Sequence, residues 1–567
     1  MRTDHVFGVL WVLLFSALAS SASAAPADLK ELAHEYYGWR DAQYPVATSQ
    51  LGDHQYDGKL TDYRMATVQA RRKHVSQLIA QVSALKVSDW SKDDRVDQLL
   101  FLAQLRGADV FGRKVDPETR DPQLYVNECS NAIFSLLQKE YAPRKTRALA
   151  VTERLEAMPA LLKTARTNLT RPVQLYAKLA SEAARGGDEL YKSSLKMLAD
   201  ALDAEQQKRL FAARDAALSE LHAFADWLDS KQASMPAWQP LGAADYDALL
   251  KQVLLLPFSS AQVAQLGEVE LARYRALEAL LKDPNLASPD PARAARVPAD
   301  QTEFLKAYES RQTEMIAFLK AQKLITLPSY IGPFQIRQLP EAFKPTSPGG
   351  FMNPPGVYDT DASGFFYIPT YNPKSKNFYI RAAIEDPRPI LGHEGIPGHF
   401  LQISIANHVE SEIRRQHSDN PFIEGWALYG EEMLLRTGLY PENSAAQGQI
   451  LRLSRYRSAR IGVDVNLHTG RWSFEQAVQY FMEGGGLDRE AAEGEAAGAA
   501  TYPSQKISYI TGKWQILRLL GRYRDQQGAR FKLGAFHDQL LSYGSLPLSV
   551  IEWLMFDDDS TLKQALK

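Results

Sequence analysis

The sequence predicts a mainly α-helical protein with a small β element next to a histidine-containing motif. Three observations lead there. Apolar residues recur at helical spacing across most of residues 28–281. Prolines, glycines and aromatics then crowd residues 327–380, and helical spacing returns beyond His399. The first stretch is built mostly from Ala, Leu, Glu, Lys and Arg, all good helix formers.

The N-terminus reads as a targeting segment. In "MRTDHVFGVLWVLLFSALASSASA", Arg2 precedes an apolar run and Ala22-Ser23-Ala24 forms a small-x-small cleavage signal. Residues 1–24 are therefore expected to be a signal peptide. The apolar run is too short for a comfortable membrane span, so no stable membrane insertion is expected after cleavage. No cysteine follows it, which argues against a lipid anchor. The one cysteine, Cys129, excludes an internal disulfide and reads as a small buried hydrophobe. A large exported chain without disulfides suits a bacterial periplasm, or secretion from it. A formal net charge of -2 leaves no basic field for nucleic acid.

Residues 25–300 read as an N-terminal helical lobe. "DWSKDDRVDQLLFLAQLRGADVF" sets Val96, Leu99, Leu100 and Ala103 at helical spacing, widened by Leu102. "PVQLYAKLASEAARGGDELYKSSLKMLADAL" reads as two helices broken at Gly186-Gly187, and "AEQQKRLFAARDAALSELHAFADWLDS" as one long helix. The Pro- and Asp-rich residues 282–300 read as a connection. Residues 301–567 form the second unit, opening with a helix over residues 301–323. "GFFYIPTYN" and "KNFYIRAA" look like two strands joined by a polar turn. "FIEGWALYGEEMLLRTG" predicts a helix ending near Gly438, and "AQGQILRLSRYRSARIGVDVNLHTG" one ending near Gly470. Ser473 is placed as an N-cap, and "DREAAEGEAAGAATYPS" as a helix entering a turn. Trp426 and Trp514 are expected in the core.

The chemistry centres on "LGHEGIPGHF", residues 391–400. His393-Glu394 opens like the zinc-peptidase motif H-E-x-x-H, yet Pro397 stands where the second histidine belongs and the next is His399. Four residues turn a helix by about 400°, so rings at that spacing share a face; six turn it by about 600°, leaving the rings roughly 120° apart. His393 and His399 reach one ion only if the chain breaks between them, and Pro397-Gly398 is suited to break it. The spacing alone leaves a zinc site and a chance pair both open. Downstream, Glu424 and Glu431 lie seven apart on one helix face. Glu424 is the better candidate third ligand, against the alternative of a solvated charge at a helix N-terminus.

These stretches also resemble a known family. "HEGIPGHFLQ" with "EGWALYGEE" resembles the bacterial domain-of-unknown-function 885 family, exported proteins with the character of zinc peptidases. "YPVATSQLGDHQYDGKLTDY", "RSARIGVDVNLHTGRWSFEQAVQYF", "PSQKISYITGKWQILRL" and "FKLGAFHDQLLSYGSLPLSVIEWL" resemble its other motifs. The resemblance covers residues 36–554. The family is distantly similar to angiotensin-converting enzyme, thimet oligopeptidase and thermostable carboxypeptidase, which implies two helical lobes around a deep cleft. It implies Zn(2+) on His393, His399 and Glu424, Glu394 as the catalytic glutamate, and Tyr509 over the scissile carbonyl. Two departures stand out. Phe400 replaces a second adjacent histidine, and Gly498-Ala499 replaces an Arg-Tyr pair ahead of Pro503-Ser504-Gln505.

The expected function is zinc-dependent cleavage of short peptides. The alternatives are a catalytically weak or inactive peptide-binding protein on the same scaffold, favoured by Phe400, and an amidase acting on cell-wall peptides. The strand "GFFYIPTY" is a candidate for pairing with an extended peptide. Tyr367, Tyr502, His468 and Arg460 are candidate substrate contacts. Arg460, Asp464 and His468 share one helix face at spacing four, where a buried ion-pair seam is the competing role. His537 reads as a packed helix histidine.

Overall fold

Helices follow one another from Pro26–Gln43 to Ser260–Leu281, and again from Phe378–Glu385 to the C-terminus. The computed structural model describes residues 26–282, 298–339, 349–440 and 444–567. The expected signal peptide, and all of the 282–300 connection except its ends, lie outside the described residues. The fold is mainly α with one small sheet, as the periodicity predicts.

Local rules place the helices. Lys92–Val110 starts at Ser91, whose side chain accepts from Asp94 N, and buries Val96, Leu100, Leu102 and Ala103. The break at Gly186-Gly187 separates Gln174–Gly186 from Asp188–Ala199. Ala204–Lys231 is one helix, opened by a reciprocal cap between Asp203 and Gln206. Asn420–Arg436 and Ala445–His468 end just before Gly438 and Gly470, both at positive φ. Ser473 caps Phe474–Tyr480, and Arg489–Thr501 runs into a turn.

Of the small hairpin or sheet expected beside the site, the structure has a sheet. β1 (Phe334–Gln338), β2 (Phe351–Asn353) and β3 (Gly364–Ile368) form a three-stranded sheet in the order β1-β3-β2. β3 pairs parallel with β1, Phe334 opposite Gly364, and antiparallel with β2, Phe351 opposite Tyr367. The predicted partner strand is instead the helix Phe378–Glu385. Asn377 starts it by accepting from the backbone of Tyr379 and Ile380, and Ala382 and Ala383 are buried against the core. Both edges of β3 are occupied, so the strand expected to receive a peptide has no free edge.

The hydrophobic clusters do not part at residue 300. The largest joins Tyr37, Phe101 and Leu105 to Phe304, Phe400, Trp426 and Leu540. Another joins Tyr246 and Tyr274 to Leu428, Ile461 and Ile510. A third is drawn from residues 46–235 and contains Cys129, fully buried and free. Trp426 is in the core as expected. Trp514 is not: it is 37% exposed, because the helix carrying it turns that face toward solvent.

Candidate metal centre

The predicted break is present. Pro387–Glu394 stops after Glu394, and a new helix, His399–Ala406, begins at His399. Gly398 sits so close to the end of the first helix that a Cβ there would overlap the His393 carbonyl oxygen. The restart brings the two imidazoles together, with ring centroids 4.6 Å apart and planes at 79°.

A third side chain meets them. Glu424 Oε2 lies 3.3 Å from His399 Nε2 and 3.6 Å from His393 Nε2. One ligand atom from each of the three residues falls within 4.8 Å of the others. Glu424 arrives on the helix Asn420–Arg436, started by the Asp419 side chain accepting from Phe422 N. That helix crosses Ser508–Gln527 where Gly425 faces Gly512, with no room for a Cβ on either. The close crossing carries Tyr509 to Glu424, and the phenol donates to Glu424 Oε1 at 2.9 Å.

The carboxylate Glu431, two turns beyond Glu424, sits behind His393. Its Oε1 is 2.8 Å from His393 Nδ1, and Arg457 Nη1 holds the same carboxylate. With Nδ1 turned to Glu431, Nε2 is the nitrogen that faces Glu424, the arrangement by which an outer carboxylate orients a metal-binding histidine. Burial and the Arg457 charge lower the His393 imidazole, but the Glu424 and Glu431 carboxylates prevail and raise it to about 9. Burial raises the Glu424 carboxyl, yet both histidines hold it well below the usual range. Burial, then the Glu424 charge, push the Tyr509 phenol up, so it remains a donor.

Glu424 Oε2 is buried, makes no well-formed hydrogen bond and faces only the two imidazole Nε2 atoms. A buried carboxylate oxygen rarely goes unsatisfied, and two imidazoles plus one carboxylate make the donor set of a catalytic zinc site. The residues fit such an ion. Beside them is a cavity of about 410 Å³ lined by His393, Glu394, Tyr509, Arg457, Arg460 and Phe366 of β3. Among the described residues the Glu394 carboxylate has no hydrogen-bond or ion-pair partner.

The other candidate substrate contacts are spread over the fold. Tyr367 points to the opposite face of the sheet from Phe366, into a separate cavity of about 510 Å³ with Arg337 and Phe365, because strand residues alternate. Tyr502 caps the end of Arg489–Thr501 and is 53% exposed. His468 shares a face with Arg460 but lies eight residues on, about 12 Å along the axis. It is buried, with Nε2 2.8 Å from the Ala499 carbonyl oxygen. Arg460 alone of the four lines the cavity, and it also belongs to the buried seam through Glu495. Asp464 has no ion-pair partner among the described residues and accepts instead from the Tyr246 hydroxyl and from the backbone of Ser504 and Lys506. His537 is packed, linked to Tyr429 and the Leu324 carbonyl oxygen.

Phe400 faces away from the cluster. It is fully buried and stacks on Phe334 at 4.8 Å, so a ring at this position does not reach the histidines. The missing second histidine removes nothing from the three-residue set. Sequence reasoning missed Arg457, Tyr379, Glu495 and Lys506. Only Arg457 left a local signal, three residues ahead of Arg460 on one helix face.

Fold and cluster together define a class: a mainly helical scaffold on which two histidines and a glutamate converge beside an open cavity. Within that class the chain belongs to the family described as "Bacterial protein of unknown function (DUF885)", whose model matches residues 45–555. Solved structures similar to the chain include the following two. A candidate lipoprotein of unknown function from Shewanella oneidensis is 21% identical, with a TM-score of 0.74, covering 94% of this chain and 100% of its own. A candidate lipoprotein from Colwellia psychrerythraea is 18% identical, with a TM-score of 0.78, covering 96% and 100%. At these identities the likeness is one of fold. No curated protein matches the chain.

Proposed function

We propose that this protein is an exported zinc-dependent hydrolase that cleaves peptide bonds of short peptides. The observation that carries the reading is the convergence of His393, His399 and Glu424 beside a cavity that also receives Glu394 and Tyr509. Zinc held by the three would supply Lewis acidity and make water acidic near neutral pH. Glu394, with its carboxylate open to the cavity, takes a proton from the attacking water and delivers it to the departing amine. The water oxygen joins the carbonyl carbon, and the C–N bond breaks. Tyr509 turns its single hydroxyl proton from Glu424 to the carbonyl oxygen as negative charge builds there. Glu431, braced by Arg457, holds the His393 ring in its tautomer.

Export rests on the N-terminal segment and on the lipoprotein description of both structural neighbours. No helix among the described residues is long and apolar enough to cross a membrane. The destination proposed is the periplasm.

The test is zinc content of the purified protein together with cleavage of a mixed peptide library followed by mass spectrometry. One zinc per chain, with cleavage lost in Glu394→Gln while the metal stays, is the expected result. Cleavage unchanged in Glu394→Gln, or no metal bound, would overturn the reading.

A further inference from the structure

Two arginines present unused hydrogen-bond donors to the cavity beside Tyr509. Arg460 uses Nε and Nη2 on Glu495 and Tyr456. Its Nη1 makes no hydrogen bond among the described residues, is not sealed from solvent, and belongs to a side chain lining the cavity. Arg457 uses Nη1 on Glu431, while Nη2 reaches only His393 Nδ1, at 3.4 Å, whose proton goes to Glu431. Nor does Arg460 have Glu495 to itself, since Lys506 Nζ lies 3.1 Å from the same carboxylate.

A guanidinium carries five donors in a planar fork suited to carboxylates. Here one edge of Arg460 is fixed by a buried carboxylate and another is left open, so the fork is held rigid and aimed. Arg460 and Arg457 stand 4.7 and 5.7 Å from the centre of the Tyr509 ring. That ring lies 6.3 Å from the His393 ring, so at most 11.0 Å separates His393 from the Arg460 guanidinium. An extended chain advances roughly 3.5 Å per residue. Once roughly 4 Å of that span is given to the contact between guanidinium and carboxylate, the remaining ~7 Å holds one or two residues of a chain extended along this line.

We infer that Arg460, flanked by Arg457, receives the C-terminal carboxylate of the peptide, so that the hydrolase releases the last one or two residues of its substrate. The inference rests on the peptidase reading above. The bond broken is the amide one or two residues from the C-terminus; water supplies the hydroxyl to the new carboxyl end and the proton to the released amine.

Binding separates this inference from catalysis. The Glu394→Gln protein is equilibrated by dialysis against a random tripeptide library, once as free acids and once as C-terminal amides, and retained peptides are counted by mass spectrometry. Free acids are expected to bind at least tenfold tighter than amides. Adding Arg460→Gln should weaken acids roughly tenfold to a hundredfold, the loss of a charge-assisted hydrogen bond, and leave amides unchanged. Arg460→Lys, which keeps Glu495 paired, serves as the folded companion, with circular dichroism on both, and the acid–amide comparison itself needs neither variant. Equal retention of acids and amides would overturn the inference while the peptidase reading stands. Amides ending in Asp or Glu that bind as tightly as free acids would also overturn it, in favour of a side-chain carboxylate. Retention of neither library would overturn both.

Discussion

Two glycines on one helix should respond in opposite directions to the same substitution. Gly512 and Gly521 both lie within Ser508–Gln527. A Cβ at Gly521 meets nothing within 4 Å, whereas one at Gly512 would overlap the Pro421 carbonyl oxygen and stand 2.7 Å from its carbon and 2.8 Å from Gly425 Cα. Alanine favours a helix over glycine by about 0.5–1 kcal/mol, so Gly521→Ala should stabilise by that amount. Gly512→Ala gains the same term and meets a larger steric one, for a net loss of about 1–3 kcal/mol. Moving the 2.7 Å contact alone out to an ordinary 3.4 Å separates the two helices by 0.7 Å, and clearing the nearer Pro421 carbonyl oxygen takes more. The Tyr509–Glu424 hydrogen bond, 2.9 Å long, has only about 0.6 Å of stretch before it is lost. Gly512→Ala should therefore lower both the melting temperature and zinc affinity. Gly521→Ala should raise the first and leave the second alone. Thermal unfolding and competitive zinc titration of both variants provide the check. A Gly512→Ala protein as stable as the parent, with undiminished zinc affinity, would refute the claim that the close crossing sets the site.

Further outcomes follow from the same structure. Glu431→Gln keeps the shape behind His393 but removes the charge that orients it, and should weaken zinc binding about 10–100-fold in a chelator competition; unchanged affinity would deny Glu431 that role. Phe400→His should gain no zinc affinity and should destabilise by about 2–4 kcal/mol in urea unfolding, because an imidazole at this position is buried against Phe334 without a partner. A gain in affinity would show that position 400 reaches the ion. His537 carries a pH signature. Burial lowers its imidazole from 6.5 to about 4, so below pH 6.5 the unfolded chain takes up a proton that the folded protein refuses. Stability should fall as pH drops from 6.5 to 4, by on the order of 3 kcal/mol from this residue. His537→Gln should start less stable and lose less across that window; parallel pH profiles would refute the assignment.

Much of the scaffold was legible from the chain alone. Long amphipathic helices with caps and terminal glycines, such as Ala204–Lys231 and Asn420–Arg436, stand where periodicity puts them, because their start and stop signals act within a turn. The interruption at Pro397-Gly398 was readable for the same reason. The segment at Phe378–Glu385 was not. Its aromatic and β-branched residues suit either state, and Asn377 together with the buried Ala382 and Ala383 decides for helix. The sequence left open which cavity Tyr367 lines, because alternation says which residues share a face but not which face meets which cavity.

The sequence by itself determined the helical class, the break between His393 and His399, and the residue types able to hold a metal, since each depends on backbone preferences within a few neighbours. Tertiary structure alone decided that Glu431 and Arg457 brace His393 across 38 and 64 residues, that Arg460 meets Glu495 across 35, and that Tyr509 meets Glu424 across 85. Those meetings depend on how distant faces pack, down to a pair of facing glycines. Packing of that kind is the sum of many weak contacts that no local pattern records.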